Sequence, residues 1–135
     1  VKLPAFIERR LIELAVNVAT TRPPDFLVGG EVNPYLKRWW LVPRNRLLNI
    51  YLHEFLRDDD DRALHDHPWP WCSILITGSY YEHTIAAGGV HRRTQHFGPS
   101  IRFGRAAKAH RISLVRDSCT ALGHWPAWTL FITGP

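Results

Sequence analysis

The hydrophobic pattern changes period once along the chain. In the first twenty residues, Phe6, Ile7, Leu11, Leu14, Ala15 and Val18 recur at helical spacing, with Glu8, Arg9, Arg10 and Glu13 on the other side. This predicts an amphipathic helix over residues 4–19. Pro4 suits its first turn, and Pro23-Pro24 prevent continuation. Residues 20–34, with Gly29-Gly30 and Asn33-Pro34, read as a connecting loop. From residue 35 onward, short apolar runs are separated by turn residues. Strands are predicted near 35–42, 47–56, 71–77, 79–85, 100–103, 110–115 and 128–133, punctuated by Gly78, Gly88-Gly89, Gly98-Pro99, Gly104 and Gly123. Many short strands with regular turn signals point to a β-sandwich or barrel. The expected division is a helix and loop over 1–34, braced against the outside of a β-barrel over 35–135.

A length of 135 residues fits one domain with a sizeable core. No apolar run approaches the ~20 residues of a membrane span. Glu8 and Glu13 in the amphipathic start do not suit a signal peptide. No membrane partner is expected, and the cytoplasm is the expected compartment. Two cysteines, Cys72 and Cys119, do not make a disulfide framework, and both are expected to be reduced. The absence of methionine reads as a trimmed or partial chain.

The net charge of +5 rests on fourteen arginines against three lysines. Such a surface attracts anions, nucleic acid among them. The arginines are scattered, however, with no run longer than Arg9-Arg10 and Arg92-Arg93. Nucleic acid is therefore not an expected partner; a small-molecule substrate or ligand is, and a homodimer is admitted as an assembly. The tract of four aspartates from Asp58 lacks the spaced ligands of an EF-hand loop and reads as a solvated turn.

The stretch Leu64-His65-Asp66-His67-Pro68-Trp69-Pro70-Trp71-Cys72 carries the candidate chemistry. Pro68 and Pro70 exclude a helix, and on an extended segment His65 and His67 point the same way. Two converging imidazoles grip a divalent transition metal when a further ligand joins them. A polar loop is the other reading of this motif. His110 opens a later apolar strand and shares a face with Ile112 and Leu114, so it is either a satisfied core histidine or a ligand. His53 and His83 lie inside predicted strands, with His53 as the reserve ligand. His91 and His96 fall in an Arg/Gly-rich loop and read as solvated surface, and His124 reads as a loop residue.

His65-x-His67, Gly78 closing the next predicted strand, and a lone His110 heading a later one together resemble a cupin. The resemblance covers residues 35–135. It implies a mainly β fold: a single cupin-type antiparallel β-barrel (double-stranded β-helix) with an N-terminal α-helix. In that family two short motifs place three histidines, often with a glutamate, around one metal. The chain departs from the motifs. Asp59 stands where a glycine is usual, Trp71 or Cys72 where the glutamate falls, and Arg105, Ala107 and Leu114 at positions the second motif gives to Pro, Gly and Asn. His65-Asp66-His67-x4-Cys72 with His110-Arg111 also resembles the thiol dioxygenases of the cysteine dioxygenase type. That likeness implies Cys72 beside the metal and Arg38 holding a substrate carboxylate.

One divalent transition metal on His65, His67 and His110 is expected: Fe(II) first, with Ni, Mn or Zn suiting the same donors. Arg38, Tyr51, His53, Trp71, Cys72 and Trp128 are the expected substrate contacts, with Trp69 as further pocket wall and Tyr81 as another polar handle. The function expected is a mononuclear non-haem metal oxygenase acting on a small molecule. The alternative is a non-catalytic cupin that binds a ligand or uses the metal structurally.

Overall fold

The structure is a computed structural model that describes residues 1–58 and 64–135. Of the aspartate tract, only Asp58 is among them. It accepts from the Leu114 amide at 2.7 Å and from Arg116 at 3.0 Å; the rest of that predicted turn lies outside the described residues.

Helix α1 spans Ala5–Thr21, with Pro4 as its N-cap. It ends as the chain turns extended at Arg22, ahead of the two prolines. Eight strands follow among the described residues: β1 Phe26–Val28, β2 Leu36–Trp40, β3 Asn49–Phe55, β4 Trp71–Ile85, β5 His91–Phe97, β6 Ser100–Gly104, β7 Arg111–Leu114 and β8 Ala127–Thr133. All their pairings are antiparallel. The hydrogen-bonded order is β1-β2-β3-β8-β4-β5, with β6 and β7 also pairing with β4.

β4 organises the fold. Its first half pairs with β8 and β6, and its second half with β5 and β7. The two predicted strands on either side of Gly78 are thus one bent strand. The register against β8 shifts between Leu75 and Thr77. This irregularity changes which parity faces inward. Trp71, Ser73 and Leu75 face in before it, and Tyr80 and Glu82 after it. Gly78 has φ +89, and a Cβ there would run into the Pro126 carbonyl. Only glycine lets the bend close so tightly against β8.

The alternation of each strand divides two apolar clusters. Inside the curled sheet, Leu36, Phe55, Leu75, Tyr80, Ile112, Leu114 and Ala127 pack together. On the outer face, Ala15 and Val18 of α1 cover Trp39, Leu52, Ile76 and Leu130. The apolar stripe read from the sequence therefore docks the helix outside the sheet, as expected. The predicted connecting loop holds β1, which pairs with β2 from Phe26↔Arg38 to Val28↔Leu36. The stretch His91–Phe97, read as loop, is strand β5.

Candidate metal centre

The three histidines of the sequence pattern meet at one end of the inner cluster. Backbone pairing sets them there. The His65 amide donates to the His110 carbonyl at 3.0 Å, and the His110 amide returns the bond to His65 at 2.8 Å. Two residues beyond His65, the Ala107 amide donates to the His67 carbonyl at 3.0 Å. The segment made extended by Pro68 and Pro70 is thus zipped onto the turn before β7.

His65 and His67 are half-buried and His110 is buried, with one ring nitrogen of each within 4.8 Å of the others. Ring centroids stand 5.2–5.5 Å apart. The Nε2 atoms of His67 and His110 are 3.0 Å from each other. Two imidazole nitrogens about 2.1 Å from one ion and at a right angle to each other stand about 3.0 Å apart. The donor set is therefore compact enough for a transition-metal ion. Burial lowers the His67 imidazole to about 4, with the charges of His110 and His65 acting in the same direction. At neutral pH its ring is uncharged and has a lone pair to give. Asp66 is exposed, as its opposite parity requires.

The centre opens on a cavity of about 520 Å³, including the part continuous with solvent. Trp71, Phe131, Phe55 and Ile112 give it apolar walls. Arg38, His53 and Thr129 lie in one cross-strand row along its floor. The Arg38 Nε donates to His53 Nε2 at 2.9 Å, and its guanidinium stacks 4.5 Å above the Tyr51 ring. Burial lowers the pKa of Arg38, and no carboxylate of the described residues forms an ion pair with it. Burial, then the charges of Arg38 and His67, hold His53 well below the usual histidine range, so it stays an uncharged acceptor. Its tie to Arg38 and its place in the floor leave it outside the three-histidine cluster.

Several expected contacts are elsewhere. Cys72 follows Trp71 on β4 and so faces outward, in a shallow groove with Leu48, Phe103 and Ile132. Burial raises its thiol pKa. Trp128 also faces outward, where it stacks on Trp39 at 5.8 Å beneath the helix. Trp69 is 43% exposed, so of the predicted tryptophan wall only Trp71 lines the cavity. Tyr51 supports Arg38 from behind. Tyr81 and His83 have the opposite parity to Glu82 and face away from the interior. There Tyr81 lies under Arg93, and His83 bonds His91 at 3.0 Å and Ser113 at 2.8 Å.

Three residues near the centre escaped the sequence reading. Glu82 is buried behind His110, Arg102 lines the cavity, and His96 turns inward rather than to solvent. The available signal was a carboxylate and a guanidinium set inside apolar strands. The bulge in β4 concealed it by reversing the parity expected for Glu82.

No family model matches the sequence, and no curated protein matches it. Solved structures do match in shape. The crystal structure of Fe(II) HppE in complex with substrate superposes with a TM-score of 0.60 and 13% identity, over 83% of this chain and 56% of that one. The chain thus spans a little over half the length of HppE. The EutQ protein of Clostridium difficile gives 0.57 and 13%, over 87% of this chain and 83% of its own. A cupin superfamily protein from Desulfitobacterium hafniense gives 0.53 and 15%, over 79% and 83%. At such identities the likeness is one of fold, and the fold is that of the cupins.

Proposed function

We propose that this chain binds one divalent transition metal through His65, His67 and His110 and acts with it on a small anionic molecule, as a mononuclear non-haem oxygenase. The observation that carries this reading is the meeting of three imidazoles at the wall of a cavity that also presents Arg38. Three neutral nitrogen donors leave positions open on a six-coordinate ion, and Fe(II), Ni, Mn and Zn all suit such a set. Fe(II) is the first choice, supported by a fold neighbour, HppE, whose crystal structure is of its Fe(II) form in complex with substrate. A metal bound there supplies Lewis-acid or redox chemistry to a molecule lying beside it.

The chain's own residues do the rest. The Arg38 guanidinium has donors left over after its bond to His53, and it receives the anionic end of the molecule. His53 and Tyr51 hold that guanidinium in place. Trp71, Phe131 and Ile112 keep water from the bound molecule on the other sides.

Metal analysis of the purified protein, with single substitutions, tests the reading. Wild type should carry close to one equivalent. Oxygen uptake by the iron-loaded protein, screened over small carboxylic and phosphonic acids, then tests the activity. Arg38→Ala should keep the metal and lower affinity for the active acid by about tenfold to a hundredfold, the worth of a charge-assisted hydrogen bond. Full metal occupancy with no uptake for any acid would favour the non-catalytic alternative.

A further inference from the structure

Glu82 is 5% exposed, and such a carboxylate is costly unless its oxygens are satisfied. Here they are. Oε1 lies 2.9 Å from His110 Nδ1. Oε2 lies 3.1 Å from His96 Nε2 and 2.6 Å from Arg102 Nη1. Lys108 Nζ stands farther off, 3.9 Å from Oε1. The other arm of Arg102 donates to the Tyr80 hydroxyl, so the guanidinium that anchors Glu82 is itself anchored.

An ionised carboxylate only accepts hydrogen bonds. The His110 nitrogen facing it must therefore carry hydrogen. The same ring presents Nε2 at the other end, 3.0 Å from His67 Nε2, where the histidine cluster converges. We infer that Glu82 is the positioning residue of the centre: it fixes His110 as the Nδ1–H tautomer, with the Nε2 lone pair turned to the ion. This rests on the metal-binding reading proposed above.

The arrangement has two effects on the centre. It locks the ring's rotation, since His110 is tied at its backbone to His65 and at its ring to Glu82. It also cancels the charge of Arg102, which lines the same cavity and would otherwise repel a bound cation. The cupin glutamate missing after His67 is thus not replaced as a ligand. A carboxylate from the far half of β4 stands behind a ligand instead.

The test uses wild type, Glu82→Gln and Glu82→Asp. Long-range 1H–15N correlation spectra of the metal-free protein read the His110 tautomer. Competition with a chromophoric chelator reads Zn(II) affinity, and the visible spectrum reads Co(II) geometry. Wild type should show His110 protonated at Nδ1. Glu82→Gln should lose that single tautomer, weaken Zn(II) binding by about 10–100-fold and alter the Co(II) bands. Glu82→Asp keeps the charge beside Arg102 but withdraws the acceptor by one methylene, and should fold even where the amide variant does not. It should weaken Zn(II) binding in the same direction. A structural carboxylate would shift melting temperature without moving the tautomer. An Nε2–H tautomer in wild type, or folded variants with wild-type affinity and spectrum, would overturn the inference while leaving the metal reading intact. A wild-type protein that binds no metal would overturn both.

Discussion

The convergence of His65, His67 and His110 is local enough to be legible in one sequence. Two residues of strand spacing align the first pair, and the third heads an apolar strand. Each substitution, His65→Ala, His67→Ala or His110→Ala, should remove most of the bound metal, as measured by elemental analysis. His91→Ala lies on the far face of β4 and β5 and should retain it. Retention by His110→Ala together with loss in His53→Ala would assign the wrong ligand. Glu82 was not legible in the same way, because its partners His110, His96 and Arg102 are 14 to 28 residues away in sequence. The outward turn of Cys72 was legible from parity alone once Trp71 was placed inside. What misled was the borrowed likeness to thiol dioxygenases. Gly104 is a further small determinant. A Cβ there would collide with the Trp71 indole, whose Nε1 is buried with no hydrogen-bond partner among the described residues. Gly104→Ala should displace that wall of the cavity. It should change ligand affinity more than metal content, which paired titrations would separate.

Among the elements, the strands with alternating apolar residues were read correctly to within a few residues, and the helix to within two. β5 was missed because His-Arg-Arg-Thr-Gln-His-Phe carries no apolar alternation. Four of its seven residues are exposed in a row, and β4 is its only strand partner among the described residues, so the burial that makes a pattern is absent. β1 is too short, at three residues, to display a period. The fusion of two predicted strands into β4 has a different cause. Gly78 read as a stop, yet its positive φ continues the strand through a bend. Gly78→Ala should therefore destabilise the protein by about 2 kcal/mol or more. It imposes left-handed strain on a residue with a Cβ and forces that atom into the Pro126 carbonyl. Thermal melting measures the loss. A melting temperature equal to wild type would show that the bend is relaxed in solution. Because Glu82 lies downstream of the bend, metal affinity should fall in the same variant.

For the whole molecule, one curled sheet separates two kinds of packing. Its outer face is sealed by α1 through Ala15 and Val18, and its inner face gives apolar packing at one end and the histidine centre at the other. Leu52, fully buried beneath the helix, should cost about 2–5 kcal/mol as Leu52→Ala while leaving metal stoichiometry unchanged, because it faces away from the cavity. No described helix is long and apolar enough to cross a membrane. A metal held as proposed would tie the two halves of the inner face together, since His65 and His67 precede β4 whereas His110 immediately precedes β7. A ligand that binds only the folded chain stabilises it by mass action. At a free metal concentration of about 100 times Kd the gain is about 2.7 kcal/mol. For a domain of this size that corresponds to a rise in melting temperature on the order of 10 °C. Calorimetry with metal and then with excess chelator should show this shift and its reversal. His67→Ala should show neither. A wild-type melting temperature indifferent to both metal and chelator would remove the centre from the stability of the fold and, with no metal found by analysis, from its function.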